Sequence, residues 1–71
     1  MKVSNKVKQL REERKIGQNE LALALEVSRQ TIHAIEKGKY NPSLELSLKM
    51  ARHFHLTIEE IFQLEEDKDE D

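Results

Sequence analysis

The chain has 71 residues, 37% of them charged and 37% hydrophobic, which is enough for one small core and excludes a second domain of ordinary size. The sequence contains no cysteine, which excludes disulfides, thiolate zinc sites and cysteine nucleophiles. No apolar run approaches the roughly 20 residues of a membrane span, and the first residues lack the apolar stretch of a secretion signal. The composition therefore predicts a soluble, cytoplasmic protein of one domain.

The formal net charge of −2 hides a segregation of charge along the chain. Residues 1–58 hold 11 Lys and Arg against 6 Asp and Glu, whereas residues 59–71 hold one Lys against eight acids. A polyanion responds to the local field of one face, so the acidic total does not exclude a nucleic-acid partner. We expect a domain over residues 1–64 and an acidic, disordered tail over 65–71. The tail is either merely solvated, or it shields a basic face or repels off-target nucleic acid.

Apolar spacing predicts five short helices, at about residues 4–15, 18–25, 29–37, 44–54 and 58–63. Ser28 and Ser43 are suited to cap the third and fourth helices, and Thr57 with Glu60 forms a capping box before the fifth. Gly38 and His55 are predicted to end the third and fourth helices.

Two apolar stripes run along the fourth predicted helix. Leu44, Ser47, Leu48 and Ala51 are interpreted as its core face. A second set extends the apolar surface, and it either fills the core or forms a self-complementary dimer interface around the fifth helix. We favour the dimer interface for this set, which comprises Leu46, Met50, Phe54, Ile58 and Phe62.

The stretch from Gln18 to Glu36 places two helices around a turn of about three residues. Ala22 is small where the two helices would cross closely. The second of them opens Ser28-Arg29-Gln30-Thr31, and arginine and glutamine suit the guanine and adenine edges that line a major groove. The pattern therefore predicts a helix-turn-helix DNA reader.

On these residues the chain resembles the Xre family of Cro- and phage-repressor-like helix-turn-helix transcriptional regulators, and most of all its compact cytolysin-repressor type. The resemblance covers residues 4–62 and rests on the joint spacing of residues 7–14, 18–22, 27–32, 35–39 and 41–46. It implies an all-α, five-helix repressor-like domain that forms homodimers, with a short β-ribbon from the chain ends near residues 1–4 and 62–66.

The resemblance also implies a role for individual residues. Base edges would be contacted by Arg29, Gln30, Thr31, His33 and Ala34, although His33 could instead be merely exposed. Phosphates would be contacted by Gln18, Ser28, Lys37, Lys39, Tyr40 and Asn41. Arg11 and Glu36 would form an interior ion pair that ties the first helix to the third.

Two residues depart from the family pattern. Gly17 stands where a serine or threonine usually caps the second helix, which costs a few tenths of a kcal/mol at most. Glu26 stands where the turn usually has glycine, and a left-handed backbone there would cost a non-glycine residue roughly 1 kcal/mol.

The expected function is that of a sequence-specific regulator, most simply a homodimeric repressor that reads a palindromic operator in double-stranded DNA. The alternatives are an antitoxin-type module, which would sequester a partner protein and autoregulate its operon, and a purely structural bundle. We expect no enzymatic activity, cofactor or membrane partner, and the sequence indicates no small-molecule effector. No metal site is expected either, because His53 and His55 lie two residues apart and point in different directions.

Overall fold

The computed structural model describes residues 2–66 of the chain, which form five helices and two short strands. In chain order these are β1 (Lys2–Asn5), α1 (Val7–Glu13), α2 (Gln18–Leu25), α3 (Arg29–Glu36), α4 (Leu44–Phe54), α5 (Ile58–Ile61) and β2 (Phe62–Glu65). The strands pair antiparallel, with Lys2 opposite Glu65 and Asn5 opposite Phe62. The predicted helical bundle and its terminal ribbon are confirmed. Residues 67–71, the larger part of the predicted acidic tail, lie outside the described residues.

Side-chain caps begin three of the helices, as predicted. The hydroxyl oxygens of Ser28, Ser43 and Thr57 each accept the backbone N–H three residues further on, at 3.1–3.2 Å. Glu60 completes the capping box by accepting the N–H of Thr57 at 2.8 Å. At its other end α4 closes on His55, whose φ of 59° is left-handed. These short-range interactions account for why α4 has the predicted bounds and why α3 and α5 begin at the predicted residues.

The first, third and last helices are shorter than predicted. Residues 2–5 pair with β2 instead of extending α1, and the Oδ1 atom of Asn5 accepts the N–H of Val7 at 3.1 Å. Lys15 has a left-handed φ of 59°, so α1 ends before it. At the other end of the chain Phe62 already belongs to β2, and α3 ends at Glu36 rather than at residue 37. Helical periodicity cannot reveal a strand whose partner lies at the opposite end of the chain.

The core contains apolar side chains from all five helices. They are Val7, Leu21, Ala22, Leu25, Ile32, Ile35, Leu46, Met50, Phe54 and Ile61. No helix within residues 2–66 is both long enough and apolar enough to cross a membrane.

The predicted core face of α4 is wrong in part, because Ser47 is buried and Ala51 packs against the core as expected, whereas the two leucines do not. Leu44 and Leu48 were expected in the core, but they are 71% and 53% exposed. Met50 and Phe54 are fully buried and Leu46 is 7% exposed. The prediction that these three residues contact a partner is therefore wrong, because the chain's own core already covers them. The other two predicted dimer residues, Ile58 and Phe62, are half-buried.

The turn between α2 and α3 contains the left-handed residue that the family pattern indicated. Glu26 has φ 63° and ψ 41°. Its carboxylate lies 3.6 Å from the Nζ atom of Lys49, but both side chains are largely exposed, so this ion pair adds little.

We expect Glu26→Gly to stabilise the domain by about 1 kcal/mol, because glycine adopts left-handed backbone without a Cβ clash. A gain of that size raises the Tm of a domain of this length by roughly 4–8 °C, measurable by circular dichroism. Glu20→Gly, in the first turn of α2, is the matched control and should lower stability by about 1 kcal/mol. A lower Tm for Glu26→Gly would contradict this account.

Candidate nucleic-acid interface

α2 and α3 form a helix-turn-helix whose contact is tight. The turn between them is Glu26 to Ser28, and the N–H of Val27 donates to the carbonyl of Ala22 at 3.0 Å. Ala22 is 4% exposed, so a small side chain lies at the crossing. Leu21 and Leu25 of α2 belong to the same buried cluster as Ile32 and Ile35 of α3. One face of α3 is thereby fixed in the core, and the opposite face lies at the surface.

The exposed face of α3 carries three of the predicted base-contacting side chains. Arg29, Gln30 and His33 are exposed and together line a surface hollow. Thr31 and Ala34 are half-buried beside them. The hydroxyl groups of Thr31 and Ser28 lie 2.9 Å apart and share a hydrogen bond. Within residues 2–66, nothing covers the side chains of Arg29, Gln30 and His33.

Cationic and polar groups follow α3. Gly38 has φ 78°, which turns the chain away from the helix axis. Beyond the helix Lys37, Lys39, Tyr40 and Asn41 are exposed, as the prediction of phosphate contacts requires. Ser28, also predicted to contact phosphate, is exposed, but its oxygen accepts the N–H of Thr31 at 3.1 Å.

The side chain of Gln18, which was predicted to contact a phosphate, makes a hydrogen bond within the domain. Its amide nitrogen donates to Oε1 of Glu36 at 3.0 Å and lies 3.4 Å from Nδ1 of His33. The amide group expected to contact a phosphate is therefore engaged within the domain. At this end of α2 the backbone N–H groups remain as anion donors.

Arg11 and Glu36 form an ion pair between α1 and α3. The Nε atom of Arg11 donates to Oε2 of Glu36 at 2.7 Å, and Nη2 donates to Oε1 at 3.2 Å. The two side chains are only 11% and 4% exposed, and Nη1 of Arg11 also donates to the carbonyl of Ile16 at 2.9 Å. This bidentate arrangement fixes the C-terminal end of α3 against α1.

The ion pair changes the titration of both groups. Burial alone would raise the pKa of Glu36, but hydrogen bonds from Arg11 and Gln18, with the charges of Arg11 and Lys8, lower that pKa below its ordinary value. The hydrogen bond to Glu36 raises the pKa of Arg11 further above its ordinary value. Glu36 is therefore ionised at neutral pH.

Lys8 is a candidate site residue that the sequence did not indicate. It lies on α1 and lines a second hollow together with Gln18, His33, Glu36 and Lys37. Lys8 and Lys37 thus place two cations beside the N-terminus of α2, and the carboxylate of Glu36 in this hollow is already paired. In the sequence, Lys8 cannot be distinguished from any other solvent-facing lysine on a helix. Its position near Gln18 and Lys37 becomes apparent only when α1 is packed against α3.

Comparisons with known proteins agree with this geometry. A family model described as helix-turn-helix matches residues 7–61. An uncharacterized HTH-type transcriptional regulator of Methanocaldococcus jannaschii is 52% identical over 66 residues, which cover 93% of this chain and 100% of the relative. The cryptic phage CTXphi transcriptional repressor RstR of Vibrio cholerae is 38% identical over 58 residues, which cover 82% of this chain and 52% of that protein.

A solved structure shares the architecture. The restriction-modification controller protein C.AhdI of Aeromonas hydrophila superimposes with a TM-score of 0.70 at 28% identity, over 76% of this chain and 82% of its own. The helix pair α2–α3 has the geometry of a helix-turn-helix and lies within the residues that the family model matches. The chain belongs to the helix-turn-helix transcriptional regulators of the Cro/C1 (Xre) type.

Proposed function

We propose that the protein is a homodimeric repressor that binds a palindromic operator in double-stranded DNA and acts by binding rather than by catalysis. The observation that carries this proposal is the face of α3, where Arg29, Gln30 and His33 are exposed around one hollow. The buried side of the same helix fixes them in place. A helix held in this way can enter a major groove without rearrangement.

Base recognition would be divided among the side chains of α3. Arg29 can donate two hydrogen bonds to guanine O6 and N7, and Gln30 can pair with adenine N6 and N7. Thr31 and Ala34 each carry a methyl group and are less exposed than Arg29, Gln30 and His33. They would contact thymine methyl groups. His33 would contact a base one turn further along the helix.

Phosphate contacts would flank this face on both sides. Lys37, Lys39, Tyr40 and Asn41 would contact one backbone. Lys8, with the N-terminal N–H groups of α2, would contact the other. Ser28 would contribute its hydroxyl hydrogen when Thr31 donates to it. Such contacts give affinity and register without selecting a sequence.

We expect Lys39→Ala and Lys8→Ala each to weaken binding to all duplexes alike and to reduce the slope of log affinity against log salt by about one unit. Each removes one cation whose phosphate contact releases a counterion. Fluorescence anisotropy across a salt series measures this slope. Lys2→Ala, on the ribbon, is the control and should leave the slope unchanged; an unchanged slope for Lys8→Ala would remove that residue from the interface.

The proposed dimer uses the apolar surface that the core leaves uncovered. Leu44 and Leu48 are one helical turn apart on α4 and border a shallow apolar hollow with Glu45, Lys49 and Arg52. Two copies of α4 packed antiparallel would bury these leucines and bring Glu45 toward Arg52 of the partner subunit. Half-buried Ile58 on α5 is a further candidate for this interface. Two-fold symmetry would place the recognition helices about 34–36 Å apart.

We expect Leu48→Ala to raise the dimer dissociation constant about tenfold, equivalent to roughly 1.4 kcal/mol, through loss of buried apolar area. Analytical ultracentrifugation at several protein concentrations measures it. Leu23→Ala is the matched control, because this leucine is 80% exposed on α2 and lies outside the proposed dimer surface. Equal dimer affinity in the two variants would place the interface elsewhere.

Repression is the simplest mode of regulation for a DNA-binding domain of this kind, because binding to a promoter is enough to block transcription. The RstR relative is itself named a transcriptional repressor. A regulator of this kind works in the cytoplasm, where the chromosome lies.

Selection of bound duplexes from a random pool at physiological salt tests the whole proposal. We expect an enriched palindrome whose half-sites are centred about 10–10.5 base pairs apart. Enrichment of an asymmetric site would contradict the two-fold dimer, and absence of any enriched site would contradict sequence-specific binding.

A further inference from the structure

A chain of polar contacts runs from the interior of the domain to the face of α3. Arg11 donates twice to the carboxylate of Glu36, at 2.7 and 3.2 Å. The Nε2 atom of Gln18 donates to Oε1 of the same carboxylate at 3.0 Å and lies 3.4 Å from Nδ1 of His33. The contacts end on His33, an exposed side chain that lines both the base-facing hollow and the hollow of Lys8.

The chemistry of Glu36 fixes the orientation of the Gln18 amide. An ionised carboxylate only accepts hydrogen bonds, so the amide must present its nitrogen to Glu36. The reverse orientation would place the amide oxygen against a carboxylate oxygen, and neither atom could donate. The pairing of Glu36 with Arg11 keeps the carboxylate charged and therefore maintains this constraint.

The orientation of the amide in turn fixes the proton on His33. The Nε2 atom of Gln18 carries two hydrogens and has no acceptor capacity. One hydrogen is donated to Glu36, and the other is available to Nδ1 of His33, 3.4 Å away, which can take part in this contact only as an acceptor. A neutral imidazole with an accepting Nδ1 carries its proton on Nε2.

We propose that Gln18 is a positioning residue that holds His33 in the tautomer with Nε2 protonated, so that His33 reads only hydrogen-bond acceptors in the major groove. A donor at this position can pair with guanine O6 or N7, thymine O4 or adenine N7. It cannot accept from the amino group of cytosine N4 or adenine N6. The discrimination against cytosine rests on the proposed function, whereas the tautomer is a property of the free protein.

The tautomer is tested in uniformly ¹⁵N-labelled protein without DNA, at about pH 8. We expect Nδ1 of His33 to show the chemical shift of an unprotonated nitrogen, displaced further in that direction than Nδ1 of the exposed His55. Gln18→Met should bring His33 toward the values of His55. Gln9→Met is the matched control, because the Gln9 amide donates to Glu13 at 3.2 Å on the exposed side of α1. Identical tautomer populations for His33 and His55, or no response to Gln18→Met, would overturn the proposal.

The readout is tested by repeating the duplex selection with the variants. His33→Ala identifies the base pair that His33 contacts. At that base pair Gln18→Met should raise the frequency of cytosine relative to the preferred base about fivefold, the effect of losing one net hydrogen bond. Gln9→Met should change nothing. Combining Gln18→Met with His33→Ala should add no further change at that position.

The outcomes distinguish a failure of base contact by His33 from a failure of the positioning role of Gln18. If the unsubstituted protein selects no site, or if His33→Ala leaves the site profile unchanged, base contact by His33 is wrong and the readout falls with it. If His33 contacts a base pair and Gln18→Met leaves the preference there intact, the positioning role of Gln18 is wrong while the proposed function stands. A uniform loss of affinity for all sequences in Gln18→Met would likewise assign Gln18 to phosphate binding and contradict the positioning role.

Discussion

Replacing Arg11 with methionine is expected to lower the free energy of unfolding by about 3–5 kcal/mol. The Glu36 side chain is 4% exposed, and this substitution would remove both of its charge-assisted hydrogen bonds. Gln18 would remain as a neutral donor, which cannot compensate a buried negative charge. Small domains are stable by only about 5 kcal/mol or somewhat more, so this loss would remove most of the stability of the domain.

The matched control replaces both partners. In Arg11→Met with Glu36→Leu no buried charge is left unpaired, and we expect the double variant to recover most of the lost stability. Urea titrations followed by circular dichroism give the free energies of both proteins. The proposed importance of the pair would be contradicted by a single variant as stable as the unsubstituted protein, or by a double variant no more stable than the single one.

The ion pair of Arg11 and Glu36 also makes the free energy of unfolding depend on pH in the acid range. Because the pKa of Glu36 is lowered in the folded protein, its contribution to stability is complete above the ordinary glutamate pKa of about 4.3. That contribution is lost as the pH falls through the lower pKa of the folded state. The Glu36→Gln variant should lack this part of the acid dependence.

Local signals in the sequence were sufficient for much of the fold. The bounds of α4 follow from the cap at Ser43 and the left-handed residue His55, and the start of α3 follows from the cap at Ser28. Each of these signals acts within four residues along the chain. The strands β1 and β2 were indicated only by the family resemblance, because their partners lie at opposite ends of the chain.

The errors concern tertiary packing. Leu44 with Leu48 and Leu46 with Met50 both have helical spacing, so the sequence of α4 could not decide which stripe faces the core. The stripe of α4 that faces the core is that of Leu46 and Met50, and it continues to Phe54, which is fully buried at the end of the helix.

The candidate site likewise combines residues that the sequence indicated with residues that only the tertiary packing revealed. The exposed Arg29 and Gln30 follow from the start of α3 and the position of Ile32. Lys8, in contrast, becomes a candidate only after α1 is packed beside α3. The redirected amide of Gln18 likewise depends on Glu36, whose position is set by the ion pair with Arg11.

Replacing Arg29 with alanine is expected to reduce affinity for the selected operator by about 1–3 kcal/mol and to relax the preference at a single base pair. Arg29 is the first residue of α3 and is exposed, so truncation to alanine removes a bidentate donor without disturbing the core. The preceding Ser28 cap supports the helix end in either variant. Stability should therefore stay within about 0.5 kcal/mol of the unsubstituted protein.

The measurement compares operator and random duplexes at one salt concentration. A base-reading arginine contributes more to operator than to random DNA, so the ratio of the two affinities should fall in Arg29→Ala. Lys2→Ala removes an exposed cation on β1 that lines neither the base-facing hollow nor the proposed dimer surface, and it should keep that ratio. An unchanged ratio in Arg29→Ala would mean that the arginine contacts only phosphate. Specificity would then have to arise from Gln30 and His33 or from the shape of the duplex, since these are the other groups that α3 presents on its exposed face.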